Sequence, residues 1–268
     1  MASRRVGDLE LSKEFMSEIR PLVGIQMLRL GRNFDGGYVL PKLALRECDS
    51  LISLGYGYDS SFEREFLKLN KKNSVDLYDS TINLKSTLQR LFVDLRSVIF
   101  GGRGFPVFRS KQLLDYLFVL FERRINYKVG QIGHTNYPEY LSLLDTLKAN
   151  DFKQIILKMD IEGSEYESLD LDLDYLERIQ CLIIEFHDIE SRLSQFLNIT
   201  KEIKNKFTLI NTHINNFAPI VRGIPQVIEL CFIRSSLIAK DSLKRADSVP
   251  NPMDLPCNPS KPEITYQY

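Results

Sequence analysis

The sequence predicts one α/β domain on a mostly parallel sheet with helices on both faces, and three observations predict it. Short apolar runs alternate with segments of helical period between residues 46 and 240, the pattern of strands buried on both sides. Most of those runs end in glycine or a carboxylate. The last two runs, 207–210 and 227–233, have only a loop between them, so they pair antiparallel rather than through a parallel crossover. With 268 residues and 44% hydrophobic side chains the chain can bury a large core.

In chain order, Leu11, Phe15 and Ile19 recur at four-residue spacing before Pro21, which predicts a short amphipathic helix over 8–20. Gly36-Gly37 marks a turn into the strand Tyr38-Val39-Leu40. Residues 51–54 read as a strand that runs into Gly55 and Gly57. Residues 61–69 read as a helix, 74–78 as a strand ending at Asp79, and 82–97 and 111–124 as helices with aromatic core stripes, including Tyr116, Phe118 and Phe121. The run 113–121 reads as buried. A strand over 127–132, a helix opened by Pro138, and buried strands over 154–159 and 181–186 follow. Residues 1–45 are expected as an extension packed on the core and 46–240 as the main domain. Residues 241–268 are expected as an extended, proline-rich tail, since five of the eleven prolines fall in the last nineteen positions.

Lys+Arg and Asp+Glu are 35 each, which argues against a nucleic-acid partner bound through a general basic field. No apolar run approaches the ~18 residues of a membrane span. The N-terminus has no apolar core of a signal peptide, and none of the four cysteines forms a C-x-x-C pair. The expectation is a cytoplasmic protein with free thiols.

Ligands of open α/β sheets bind beyond the carboxyl ends of the strands. All three histidines, His134, His187 and His213, fall at that edge. The loop Gly55-Tyr56-Gly57-Tyr58-Asp59-Ser60 can bring a ligand against backbone N–H groups, although Ser60 stands where a dinucleotide fingerprint has its third glycine. Asp79, 24 residues after Gly55, can accept the hydroxyls of a ribose. Ser164-x-x-Glu167 reads as a capping box that starts a helix at Ser164, and it leaves Asp160, Glu162 and Gly163 unexplained in the loop before it. Glu185 and His187 are two apart and share a face, with Asp188 as a helix start. Asp160, Glu162, His187 and His213 are the candidates for acid–base chemistry. A divalent ion on Asp160, Glu185 and a histidine is conceivable chemistry without a metal-spacing motif behind it. Arg29, Arg32 and Arg222 could meet a phosphate or uronate.

The run LKMDIEGSEYESL resembles the signature of FkbM-type methyltransferases, which use S-adenosylmethionine. LIIEFHD, the H-I-N-N-F loop, the closing VIELCFI run and the segment from Arg29-Leu30-Gly31 to Asp35-Gly36-Gly37-Tyr38 look like a variant of that family. The glycine loop reads S-L-G-Y-G-Y-D-S instead of the wider family's D-x-G-A-N-x-G, and Y-D-S replaces F-E-P. The resemblance implies a class I methyltransferase fold with seven strands and a reversed final hairpin. It implies cofactor contacts from Asp35, Gly37, Tyr38, the Gly55–Ser60 loop, Asp79, His134 and Asp160, and O-methylation of a sugar, sugar nucleotide or glycan-linked group. A nicotinamide-dependent oxidoreductase and a non-catalytic nucleotide-binding module are the alternatives.

Overall fold

In the computed structural model, residues 11–80, 82–99, 106–132, 140–148, 152–169, 175–239 and 243–268 are described. Strands β1 (Met27–Gly31) and β2 (Gly37–Pro41) form a hairpin ahead of the main sheet. The sheet itself holds β3 (Ser50–Leu54), β4 (Ser74–Asp79), β5 (Ile125–Val129), β6 (Ile155–Met159), β7 (Ile179–Phe186), β8 (Phe207–Ile214) and β9 (Ile228–Arg234). Their spatial order is β8-β9-β7-β6-β3-β4-β5. All pairs are parallel except those of β9, which runs antiparallel to both β7 and β8. This is the seven-stranded class I methyltransferase topology with its reversed final hairpin.

Side-chain alternation divides the core between the two faces of the sheet. Ile52, Leu54, Leu157, Met159, Leu182 and Ile184 pack on one side with α1 (Lys13–Glu18), α6 (Leu143–Lys148), α7 (Glu165–Ser168) and α8 (Leu193–Lys206). Leu51, Val75, Leu77, Ile156, Cys181 and Ile183 pack on the other with the hairpin, α2 (Lys42–Glu47) and α3 (Ser61–Leu69). All four cysteines are buried free thiols. Among the described residues no helix is long and apolar enough to cross a membrane.

The structure corrects several expectations. Helices α4 (Leu84–Ile99) and α5 (Pro106–Phe121) pair with each other at the β5 edge of the sheet, where α5 packs Tyr116 and Val119 inward and most of both helices stays outside the core. Of the run 113–121 only Tyr116 and Val119 are buried, and Phe121 is 78% exposed. The capping box is not made: Ser164 caps without a side-chain hydrogen bond, and Glu167 instead takes a 2.7 Å bond from Arg192. Asp188 lies in a positive-φ turn ahead of α8, not at the helix start. Strand β8 runs four residues further than its apolar start, so His213 lies inside it, opposite Glu229, not in a loop.

The proline-rich tail is tied down. Asn216 donates to the carbonyls of Asn258, Lys261 and Pro262, Asn211 donates to Asp254, and Ser248–Val249 pairs with Tyr266–Gln267. His213 is enclosed beneath it, its Nδ1 3.4 Å from Glu229 and its Nε2 3.4 Å from Glu263. Burial opposes charge on this imidazole, but Glu229, Cys257 and Glu263 together hold its pKa well above the usual value. Burial lifts Asp254 to about 6. Both groups bind protons more tightly in the folded chain. Stability from His213 is full below its unfolded value and is lost as pH rises above it; Asp254 adds a loss between its unfolded value and about 6. Amide exchange in residues 251–263 should therefore be slower at about pH 5.5 than at about pH 8.5 after correction for intrinsic rates, with His213→Ala flattening the trend. Equal protection at both would show that the imidazolium does not hold the tail.

Candidate active site

The chain leaves the centre of the sheet toward β4 and β5, then returns to β6 and β7, so the crevice where ligands bind opens between β3 and β6. A cavity of about 700 Å³ occupies it, bounded by the loops after β3, β4, β6 and β7 and by the β1–β2 hairpin.

The glycine loop forms one wall. Gly55 has φ +87, and a Cβ there would lie 1.7 Å from the Asp160 carbonyl oxygen; only glycine lets β3 and β6 close at this edge. At Gly57, φ is +58 and a Cβ would meet nothing within 4 Å, so the backbone is bare toward open space. Asp79 sets the loop: its Oδ2 accepts the N–H groups of Tyr56 (2.9 Å) and Gly57 (3.4 Å), and its Oδ1 that of Ile82 (3.1 Å). The Tyr56 hydroxyl and both polar groups of Ser60 turn away onto Asp115 of α5.

The hairpin closes the mouth. Arg29 donates to the carbonyls of Arg32 (2.5 Å) and Phe34 (2.6 Å), which gives that arginine a structural task inside its own turn. Arg32 Nε is 2.6 Å from Asp59 Oδ2, pinning the turn to the glycine loop. Arg222 pairs with Glu190 away from the cavity. Of the three arginines proposed for an acidic substrate group, only Arg32 lines the cavity.

The floor carries the chemistry. The Asp160 amide donates to Leu54 O (2.9 Å), its Oδ2 accepts the Tyr38 hydroxyl (3.1 Å), and Lys158 Nζ lies 3.8 Å from that oxygen while donating to Gly55 O (2.6 Å). Burial and the charge of Asp160 push Tyr38 well above the ordinary phenol range, so it stays a neutral donor. Glu162 (φ +55) and Gly163 (φ +100) turn the chain back sharply. Fully buried Glu165 accepts N–H groups from Ile161 and Gly163 and meets His187 Nδ1 at 3.1 Å. His187 Nε2 then faces Glu162 (3.5 Å), Glu185 (3.9 Å) and Asp160 (4.0 Å). Burial works against charge on His187, but Glu165, Asp160 and Glu162 outweigh it and raise its pKa. Burial, then Asp160 and Glu229, push Glu185 well up; its Oε1 accepts from Asn215 (2.9 Å). The three carboxylates around Nε2 favour a positive group at this position, whether a proton on the ring or a cation beside it.

Of the residues singled out by sequence, Asp35, Tyr38, Gly55, Tyr56, Gly57, Asp59, Asp79, Asp160, Glu162 and His187 line the cavity. Gly37, Ser60 and His213 do not, the last because the strand carries it under the tail. His134 lies outside the described residues. Sequence reading missed Lys158 and Glu165. A lysine inside the apolar run ILKM was the signal for the first; the second was hidden by the supposed capping box.

No protein-family profile matches the chain, and no curated protein matches it. Solved structures similar to it include a precorrin-6y C5,15-methyltransferase from Geobacter metallireducens, with 10% identity over 72% of this chain and 84% of that one and a TM-score of 0.38. A predicted O-methyltransferase from Agrobacterium tumefaciens has 13% identity over 72% of this chain and 79% of that one, with a TM-score of 0.36. Likeness of that order assigns no reaction to this chain.

Proposed function

We propose that the protein is an S-adenosylmethionine-dependent methyltransferase acting on an oxygen of a sugar, sugar nucleotide or glycan-linked group. One observation carries the reading: the bare Gly57 backbone, the Asp79 carboxylate and the Asp160 cluster converge on one cavity at the switch point of the sheet. A pocket of this size suits a small-molecule cofactor with part of an acceptor. The residues fit the cofactor: bare backbone at Gly57 for close approach, a carboxylate at the end of β4 for ribose hydroxyls, and acidic groups at the far end for a cation. When bound, the cofactor supplies an electrophilic sulfonium methyl group.

The chain's own residues must then place an acceptor oxygen and manage its proton. Tyr38 and Lys158 fix the Asp160 carboxylate, and Glu165 fixes the imidazole of His187. Asp160 can accept the acceptor's O–H and aim its oxygen, which is catalysis by positioning. Positive charge at His187 Nε2 stabilises the oxygen as it loses its proton. Glu162, 86% exposed at the mouth, takes that proton and passes it to water.

Two features support a saccharide acceptor. The mouth is polar, with Arg32, Asp35, Asp59 and Asn215, and Phe217 offers an aromatic face there, 53% exposed. Phe217→Ala should raise the acceptor KM about tenfold with little change in kcat, because a stacking face binds ground and transition states alike. The reading itself is tested by incubating the protein with S-adenosylmethionine and a panel of sugars and sugar nucleotides. Mass gain of one methyl group on an acceptor oxygen supports it. Methylation confined to nucleic acid or protein would replace the acceptor class.

A further inference from the structure

We propose that Asp160, Glu185 and His187 bind a divalent cation of the Mn²⁺/Mg²⁺ class on the floor of the cavity. The cation's use, to hold the acceptor oxygen and ease loss of its proton, rests on the methyltransferase reading; its binding does not.

One ligand atom from each of the three residues lies within 4.8 Å of the others. His187 Nε2 is 3.9 Å from Glu185 Oε1 and 4.0 Å from Asp160 Oδ1. Around an ion with ligands at ~2.1 Å, octahedral neighbours sit ~3.0 Å apart and opposite ligands ~4.2 Å apart, so one of these two pairs already has the spacing of opposite ligands and the other must close by ~1 Å, within reach of side-chain rotation.

The imidazole is set up for the role. Glu165 already takes two backbone N–H groups and is fully buried, so it acts as an acceptor toward His187 Nδ1. With the hydrogen placed on Nδ1, a neutral ring turns its Nε2 lone pair to Asp160 and Glu185. A carboxylate behind a histidine in this way is the arrangement that orients metal-bound imidazoles. Lys158 does not serve the same purpose, since it sits against Asp160 Oδ2, on the Tyr38 side, and is bonded to Gly55 O. Two carboxylates and one imidazole, with remaining positions open to the cavity, favour an oxygen-preferring ion that keeps sites for water or substrate oxygen. Such an ion would acidify a hydroxyl bound to it. It would supply by coordination the positive charge that a proton on His187 supplies otherwise, and leave Glu162 as the proton acceptor.

The test is Mn²⁺ titration of the full chain in metal-free buffer, followed by the electron paramagnetic resonance signal of free Mn²⁺. One bound ion per chain is expected. Glu185→Gln, His187→Gln and Asp160→Asn should each weaken binding at least ~10-fold, and Glu165→Gln, which reaches the ion only through the ring, by ~10-fold or more. Asp160→Asn is isosteric at a partly exposed side chain, and thermal melting confirms that each variant is folded. A wild-type chain that leaves millimolar Mn²⁺ free, or folded variants that bind as the wild type does, overturns the proposal. S-adenosylmethionine binding is measured separately by calorimetry. Cofactor binding without Mn²⁺ binding removes the cation alone; Mn²⁺ binding without cofactor binding removes the methyltransferase reading and leaves the cation site standing.

Discussion

Asp160→Ala is expected to lower methyl transfer by about 10²- to 10³-fold while the chain stays folded. The side chain is where three parts of the site meet. Tyr38 donates to it, Lys158 compensates it, His187 faces it at 4.0 Å and Glu185 lies within 4.8 Å. Removing it strands a buried lysine beside Gly55 and leaves the acceptor hydroxyl without a group to aim it. The fold should survive, because the backbone bonds from Asp160 N to Leu54 and the loop bonds around Glu165 do not involve the carboxylate. Single-turnover rates and melting curves measured together check both halves. Transfer within threefold of the wild type would move the chemistry elsewhere in the cavity.

Gly55→Ala should cost about 4 kcal/mol of stability. A non-glycine residue at positive φ loses ~1–2 kcal/mol. The new Cβ would stand 1.7 Å from backbone, the Asp160 carbonyl, so β3 and β6 must separate there. That loosens the bonds Gly55 N–Tyr78 O (3.0 Å) and Asp160 N–Leu54 O (2.9 Å), each worth ~1 kcal/mol. The melting temperature should fall by about 10 °C. Gly57→Ala is the contrast, with open space around its Cβ, and should lose only ~1 kcal/mol while weakening cofactor binding. A Gly55→Ala protein that melts with the wild type would mean the two strand ends are not held as tightly as the structure has them.

Much of the fold was legible because the central strands are apolar on both faces and end abruptly in glycine or carboxylate. Leu51 to Leu54 into Gly55, and Ile155 to Met159 into Asp160, announce both the strand and the edge where ligands bind. Strand β8 was legible only at its start. Asn211, Thr212 and His213 look like loop chemistry, yet each is buried: Thr212 donates to Ile19 O, and the tail supplies the partners of Asn211 and His213. The tail partners lie 43 and 50 residues away and Ile19 lies 193 away, beyond any local pattern. The α4–α5 hairpin misled in the opposite sense. An apolar helical stripe predicts burial only if something lies against it, and Phe92, Ile99 and Phe121 face outward. At the site, residue types and spacing found Asp160, Glu162 and His187. They could not find the service of Glu165 to His187, which exists only once β6 and β7 lie side by side.

The most direct test of the central claim is calorimetric titration of the purified chain with S-adenosylmethionine and, separately, with NAD. Saturable one-to-one binding of the first, weakened at least ~10-fold by Asp79→Ala, with no heat from the second, is the expected result. Binding of NAD alone, or of neither at millimolar concentration, would contradict it.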